Sequence, residues 1–246
     1  MRILIDSGHG GSDGGATANG YTEKILTLKC GIAFFNKLKQ YQNVEAVMTR
    51  TSDITFDLDD RCMFIKSKAI DLGFSFHFNA CYPPGAGSGT EIIKSIHASN
   101  HITALANLLG SSISNTFKLP LRRVFDKYNS HKNADYYGLH RNGSSKMLIL
   151  EPFFIDNKSD VKVLKDDDFV DKYTDVVLKN VVKMYDLRRN SIVEVKEVPE
   201  WKVRMAKWLH DKGYTDHLHG ATENVDYGTL GAILQNVEEK IKQDLG

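Results

Sequence analysis

Four side chains, His9, Glu23, His77 and Glu151, carry the chemistry that this sequence of 246 residues offers most openly. Two imidazoles and a carboxylate are the donors of a three-ligand zinc site that keeps one position open for water. A further carboxylate beside such a site can move protons. His9, Glu23 and His77 can fill the ligand role, leaving Glu151 as a fourth group nearby. Each has an ordinary structural reading when taken alone. A strand-end histidine is usually hydrogen-bonded, a glutamate opening a helix complements the helix dipole, and a glutamate before proline closes a strand. What joins the four is placement: His9, His77 and Glu151 fall at the ends of expected strands or in the turns that follow, and Glu23 opens the helix after the first strand.

The elements that must hold them can be read in order. Residues 3–5 are apolar with β-branched ends and too few for a helix, so they read as a buried strand. A loop with glycines at 8, 10, 11, 14 and 15 follows and carries His9. Sites in open α/β sheets form beyond the carboxyl ends of the strands. From Glu23 to about position 40, Ile25, Leu28, Ile32 and Phe35 recur at helical spacing. Residues 44–49 read as a second strand, and Leu58, Cys62, Ile65 and Ala69 mark a second helix. In 72–79, alternation puts Phe74, Phe76 and Phe78 on one face and Ser75, His77 and Asn79 on the other. A strand is expected at 90–93 and a helix at 98–117 with Ile102, Leu105, Leu109 and Ile113 inward. The polar stretch 120–145 reads as irregular and flanking a cleft. The run Met147-Leu-Ile-Leu150 has the continuous apolarity of a strand covered on both faces, and it stops at Glu151-Pro152. A last long helix spans about 168–186.

Strands alternating with helices predict an α/β fold: a mostly parallel twisted sheet with helices on both faces. That domain is expected to cover 1–187, with a charged linker at 188–198. The pattern restarts at 199–246 as a small all-helical module carrying Trp201 and Trp208, too short to bury an adequate core alone. Lys+Arg 32 against Asp+Glu 31 leaves a net charge of +1, which offers no global attraction to nucleic acid. No run approaches the ~18 apolar residues of a membrane span, so no membrane insertion is expected. Cys30, Cys62 and Cys81 lack metal or disulfide-framework spacing, and the first two read as core. The glycine loops lack the lysine and hydroxyl residue of a phosphate-binding loop.

The same residues carry a resemblance. The chain resembles the zinc-dependent N-acetylmuramoyl-L-alanine amidases of the amidase-3 family. The matching stretches are Ile3-Leu-Ile-Asp-Ser-Gly-His-Gly-Gly-Ser-Asp-Gly-Gly15, Gly20-Tyr-Thr-Glu-Lys24, Met48-Thr-Arg-Thr-Ser-Asp53 with Leu58-Asp-Asp-Arg61, Phe74-Ser-Phe-His-Phe-Asn-Ala80, and Leu148-Ile-Leu-Glu-Pro-Phe-Phe-Ile-Asp-Asn157. The resemblance covers about 1–186 and implies one zinc ion per chain held by His9, Glu23 and His77, with Glu151 catalytic. The family often has Gly-Phe after that glutamate, where this chain has Pro152-Phe153.

The implied reaction is hydrolysis of the amide between N-acetylmuramic acid and L-alanine in bacterial peptidoglycan. Asp6, Asn79 and Glu91 are candidate partners of the zinc histidines, and His140 is a candidate for stabilising the oxyanion. Arg50 and Arg61 read as structural ion-pair partners rather than substrate clamps. The C-terminal module resembles small helical wall-binding modules, through Trp201, Trp208 and 225–234. With no signal peptide evident at the start, the expectation is a phage endolysin, made in the cytoplasm and acting on the wall after release. A host autolysin is the less favoured source. Two other functions stay open: a zinc peptidase cutting the stem peptide, and a non-catalytic peptidoglycan-binding zinc protein. The oligomeric state is not legible.

Overall fold

Strand β1 (Arg2–Ser7) runs inside the sheet, one place from its edge. Its residues Ile3, Leu4 and Ile5 are fully buried, as a strand covered on both faces requires. The computed structural model describes residues 1–190. In chain order β1 is followed by a two-stranded hairpin, β2 (Thr17–Ala18) and β3 (Tyr21–Thr22), then α1 (Glu23–Leu38), β4 (Glu45–Met48), α2 (Leu58–Ser67) and β5 (Leu72–Phe76). There follow β6 (Thr90–Lys94), α3 (Asn100–Phe117), β7 (Leu121–Phe125), β8 (Met147–Glu151) and α4 (Phe169–Tyr185). The six-stranded sheet runs β4-β1-β5-β8-β6-β7. All its neighbours are parallel except β6 against β8. The fold is therefore the mostly parallel α/β sheet the sequence predicts.

The sheet has two covered faces. One buries Ile3, Ile5, Phe74, Phe76, Leu148 and Leu150 beneath α1, α3 and α4. The other buries Leu4, Ile93, Met147 and Ile149 beneath α2, which contributes Ile65, and a π-turn at Leu139–Gly143, which contributes Leu139. Helix α3 turns Ile102, Leu105, Leu109 and Ile113 inward as expected, and Ser99 caps its start by accepting from the Ile102 N–H at 3.2 Å.

Three expectations change. Helix α1 forms, but its buried stripe is Leu26, Cys30, Phe34 and Leu38, while Ile25 is half exposed. The helix is apolar around much of its girth, so spacing alone does not choose the face. The buried stripe is the one that also carries Glu23 inward. The stretch 120–145 is not wholly irregular: Leu121–Phe125 forms edge strand β7. Two adjacent arginines hide the alternation there, and the register shifts within this pair of strands. The 72–79 strand closes at Phe76, although His77 N–H still donates to the Leu150 carbonyl at 3.0 Å and prolongs the ladder.

Met1–Arg189 form one compact unit. Of the expected linker at 188–198, only 188–190 lie among the described residues, and the helical module at 199–246 lies outside them. Among the described residues no helix is long and apolar enough to cross a membrane.

Candidate active site

The carboxyl ends of β1, β5 and β8 meet at one edge of the sheet and bring His9, His77 and Glu151 there. Glu23 joins them as the first residue of α1. Of the functional expectations, the four principal residues are thus brought together. One ligand atom from each of His9, Glu23 and His77 falls in a group spanning no more than 4.8 Å.

Glu23 is the centre of the group. Its Oε1 lies 3.1 Å from His9 Nε2 and 2.9 Å from His77 Nδ1. The same oxygen accepts the Phe78 N–H at 2.9 Å, and Oε2 accepts the Ala16 N–H at 2.9 Å. The carboxylate is thus held by the backbone on both sides before any ligand arrives. Burial opposes its charge, but hydrogen bonds and charge from His77 and His9 outweigh this and hold it well below the usual carboxylate range. For His9, burial works against protonation, yet Glu23 and Asp13 together raise it above its ordinary value.

A tetrahedral zinc with bonds of about 2 Å places its ligand atoms about 3.3 Å apart. The two N···O separations here are close to that, and the donor set is the open three-ligand kind. The approach of the backbone fits as well. A Cβ on Gly15 would stand 2.6 Å from His9 Cδ2 and 2.7 Å from Glu23 Oε2, and one on Gly8 would stand 2.4 Å from the His77 ring. The ligand cradle therefore needs glycine at both positions. His9 itself has a left-handed backbone, with φ 61°, the kind of strain that a well-supported functional loop retains.

Two buried arginines supply that support. Arg50 donates to the carbonyls of Ser7 (2.9 Å) and Gly8 (2.9 Å), and Arg61 to those of Ser7 (3.0 Å) and His9 (3.1 Å). Arg61 also pairs with Asp6, whose carboxylate accepts from Thr49 (2.8 Å) and Ser75 (2.5 Å). Asp6 stays ionised: burial opposes this, and Arg61 and the Ser75 hydroxyl prevail. Asp6 thus anchors the arginine that grips the His9 loop and makes no hydrogen bond to a histidine. The residue that does orient His9 is Asp13, whose Oδ2 accepts from Nδ1 at 2.8 Å and leaves Nε2 to the metal position.

Glu151 ends β8 beside this group, in a cleft of ≈ 350 Å³ that both histidines, Glu23, Asn79 and Tyr137 also line. Its Oε2 is buried without a hydrogen-bond partner. Burial, then the nearby charges of Glu23 and Glu91, raises its carboxyl well above the usual range. A perturbed carboxyl in a cleft is the mark of an acid–base group. A second hollow of ≈ 450 Å³ shares His9, His77, Tyr137 and Ile149 and extends over Phe56 and Leu58.

The remaining candidates are placed differently from one another. Asn79 lines the cleft and donates to Glu91 Oε2 at 2.9 Å. Glu91, almost fully buried, is cross-strand partner to Glu151 and bound by Arg122 and Arg123. His140 lies buried in the π-turn with both ring nitrogens unpaired, outside the residues lining either hollow. Burial lowers it to about 4.

This chain matches the family model for N-acetylmuramoyl-L-alanine amidase over residues 3–183. It is 32% identical to N-acetylmuramoyl-L-alanine amidase CwlM of Bacillus licheniformis over 192 residues, 78% of this chain and 71% of the relative. The chain belongs to the N-acetylmuramoyl-L-alanine amidase family. An endolysin of Bacillus phage SPP1 is 31% identical, over 77% of this amidase-family chain and 68% of its own length. Among solved structures, Cwp6 from Clostridium difficile matches with TM-score 0.69 and 29% identity, over 74% of this chain and 29% of that one. The N-acetylmuramoyl-L-alanine amidase from Clostridium difficile 630 shares the fold, with TM-score 0.67 and 23% identity, over 75% and 96% of the two chains.

Sequence reasoning about this family member missed the role of Asp13 and the grip of the two arginines on the His9 loop, while their reading as structural ion-pair partners holds for Arg61 with Asp6. Asp13 carried a signal, a carboxylate four residues after a histidine in a glycine loop. Tyr137 lies in the polar segment expected to flank a cleft, and it lines this one.

Proposed function

We propose that this chain hydrolyses the amide between N-acetylmuramic acid and L-alanine in bacterial peptidoglycan, with Glu151 as its acid–base group. The observation that carries this is a Glu151 whose Oε2 is buried without a hydrogen-bond partner, sharing one cleft with an open His9–Glu23–His77 donor set, in a member of the amidase family. His9, Glu23 and His77 would hold one zinc ion. Zinc there supplies Lewis acidity, which polarises the scissile carbonyl and acidifies the attacking water.

The chain's own groups do the rest. Glu151, when ionised, accepts the proton of the attacking water and then gives it to the departing nitrogen. Its raised affinity for protons suits the second step, because an amine leaves poorly unless protonated. A cation held by the donor set would favour its ionised form for the first. Asp13 holds the His9 ring so that Nε2 faces the cleft. Glu23 cannot turn away, since backbone N–H groups engage both its oxygens. Three donors rather than four favour a catalytic over a purely structural site.

The likeness to a phage endolysin supports reading the chain as a lysin that acts on the wall after release. The segment 199–246 we assign to wall binding, which would raise the local concentration of enzyme at the polymer. Its removal is expected to weaken sedimentation with purified walls while hydrolysis of soluble fragments persists. Unchanged sedimentation would remove the targeting role.

The reaction is tested by digesting purified walls with and without chelator, then labelling new amino termini and reducing ends. Chelator-sensitive appearance of N-terminal L-alanine, without new reducing sugars, is expected. New termini on other residues would mean a stem-peptide peptidase, and binding without cleavage by zinc-loaded protein would leave a non-catalytic binder.

A further inference from the structure

Nothing in the reaction above uses the two arginines on edge strand β7. Successive residues of a regular strand point to opposite faces, so Arg122 and Arg123 should not reach the same group. They do: Arg122 Nε stands 2.7 Å and Arg123 Nε 2.9 Å from one oxygen, Glu91 Oε1. The register explains it. Thr90 pairs with Leu121 and Glu91 with Arg123, so Arg122 is an extra residue in the ladder. Such bulges re-aim side chains and are concentrated at sheet edges and beside active sites.

The target of that re-aiming adjoins the cleft. Glu91 is held on its other oxygen by Asn79, which lines the cleft with Glu151. Two guanidinia against one carboxylate leave one positive charge in excess. The arginine side chains remain 43% and 52% exposed, more than neutralising Glu91 requires. Glu91 engages Arg122 through Nε, which leaves the terminal nitrogens for a ligand. The Phe154 ring, 5.3 Å from the Arg122 guanidinium, supports it from the side. The hollow bounded by Phe56 and Leu58 is more apolar and mixed in charge, with Asp13, Asp57 and Arg61 in its wall.

We propose that Arg122 and Arg123 form a rim that receives a carboxylate of the peptide released in the reaction. The proposal rests on the amidase reading. A guanidinium matches a carboxylate in a planar, two-pronged contact, whereas the hollow across the site offers aromatic and aliphatic surface from Phe56, Leu58 and Tyr137. The rim therefore sets the direction of the substrate. Its peptide portion runs towards β7 and its sugar-bearing acyl portion towards Phe56, Leu58 and Tyr137.

The test compares two soluble muramoyl peptides that differ only in a free or an amidated terminal carboxylate. The parent protein is expected to favour the free acid by about tenfold in kcat/KM, mostly through KM, and less so at high salt. Arg122→Gln brings the ratio near one, and Arg122→Lys restores part of it. Arg123 and Asn79 still compensate Glu91 in these variants, and melting curves check their folding. Cleavage of both peptides by the parent at equal rates overturns the rim and leaves the amidase reading intact, whichever variants fold. Cleavage of neither peptide overturns the amidase reading, and the rim with it. Phosphate on wall polymers offers similar chemistry. If Arg122→Gln alters binding only to phosphate-bearing walls, and not the preference between the soluble peptides, the peptide assignment is overturned.

Discussion

Replacing Glu151 by glutamine separates what this side chain does for catalysis from what it costs the fold. The amide keeps the size of the carboxyl and cannot exchange the proton that hydrolysis requires. General acid–base groups contribute about 10²–10⁴ in rate, or about 3–5 kcal/mol of barrier. Turnover should fall by that factor while zinc stays, because Glu151 is not in the donor set. His77→Ala is the contrast: it removes a donor and should lose zinc and turnover together. The fold responds in the other direction. Glu151 is raised in the folded chain by burial and by Glu23 and Glu91. Above its ordinary value of 4.5 an unfolded chain gives up this proton while the folded chain keeps it. Folded stability therefore falls as pH rises from there towards the folded value, by about 1.4 kcal/mol for each unit of displacement. Glutamine removes that loss. Metal-free Glu151→Gln is expected to exceed the parent in urea midpoint at pH 8 and to match it near pH 4. The assays are amino-terminal release from walls, metal content after dialysis, and urea titrations at both pH values. A zinc-loaded Glu151→Gln protein within tenfold of parental turnover would refute the catalytic role. A lower midpoint at pH 8 would refute the electrostatic account.

Two other substitutions probe the surroundings. Asp13→Asn weakens the hydrogen bond that fixes His9 and should reduce zinc affinity by about 10–100-fold, measured by competition with a chromogenic chelator; unchanged affinity would return His9 orientation to the loop alone. His140 is neutral in the fold because burial lowers it to about 4 from 6.5. Below 6.5 the unfolded chain gains a proton that the folded chain refuses, so stability is lost from pH 6.5 down to about 4, by about 3 kcal/mol in all. His140→Leu should flatten that acid limb in thermal melts, and an unaltered limb would mean other groups carry it.

The four central residues were legible because each obeys a local rule. Apolar runs that stop at a polar residue mark where a buried strand leaves the sheet, and parallel strands leave at a common edge. His9, His77 and Glu151 thus fall together once the strands are recognised, and Glu23 follows as the start of the next helix. What remained hidden depends on contacts between distant segments. Arg50 and Arg61 read as structural ion-pair partners in sequence, and Arg61 does pair with Asp6, but nothing local shows that their guanidinia close over the carbonyls of Ser7, Gly8 and His9 from more than 40 positions away. The buried face of α1 was decided by the sheet beneath it, since apolar residues lie on more than one side of the helix.

Strand β7 shows why a functional departure is hard to read from pattern. Period-2 alternation is the signal for a strand, and a bulge removes it at the residue that is re-aimed. Arg122 is that residue, so the stretch looks irregular for the same reason that both arginines reach Glu91. Local rules thus located the donors, where strands end regularly. They failed at the rim, where the strand breaks its own period to turn a charge towards the cleft. If that break serves the substrate, a single deletion that restores regular pairing at β7 should leave zinc binding intact and erase the preference for a free carboxylate. Retained preference in such a well-folded deletion would show that the bulge has no part in recognition.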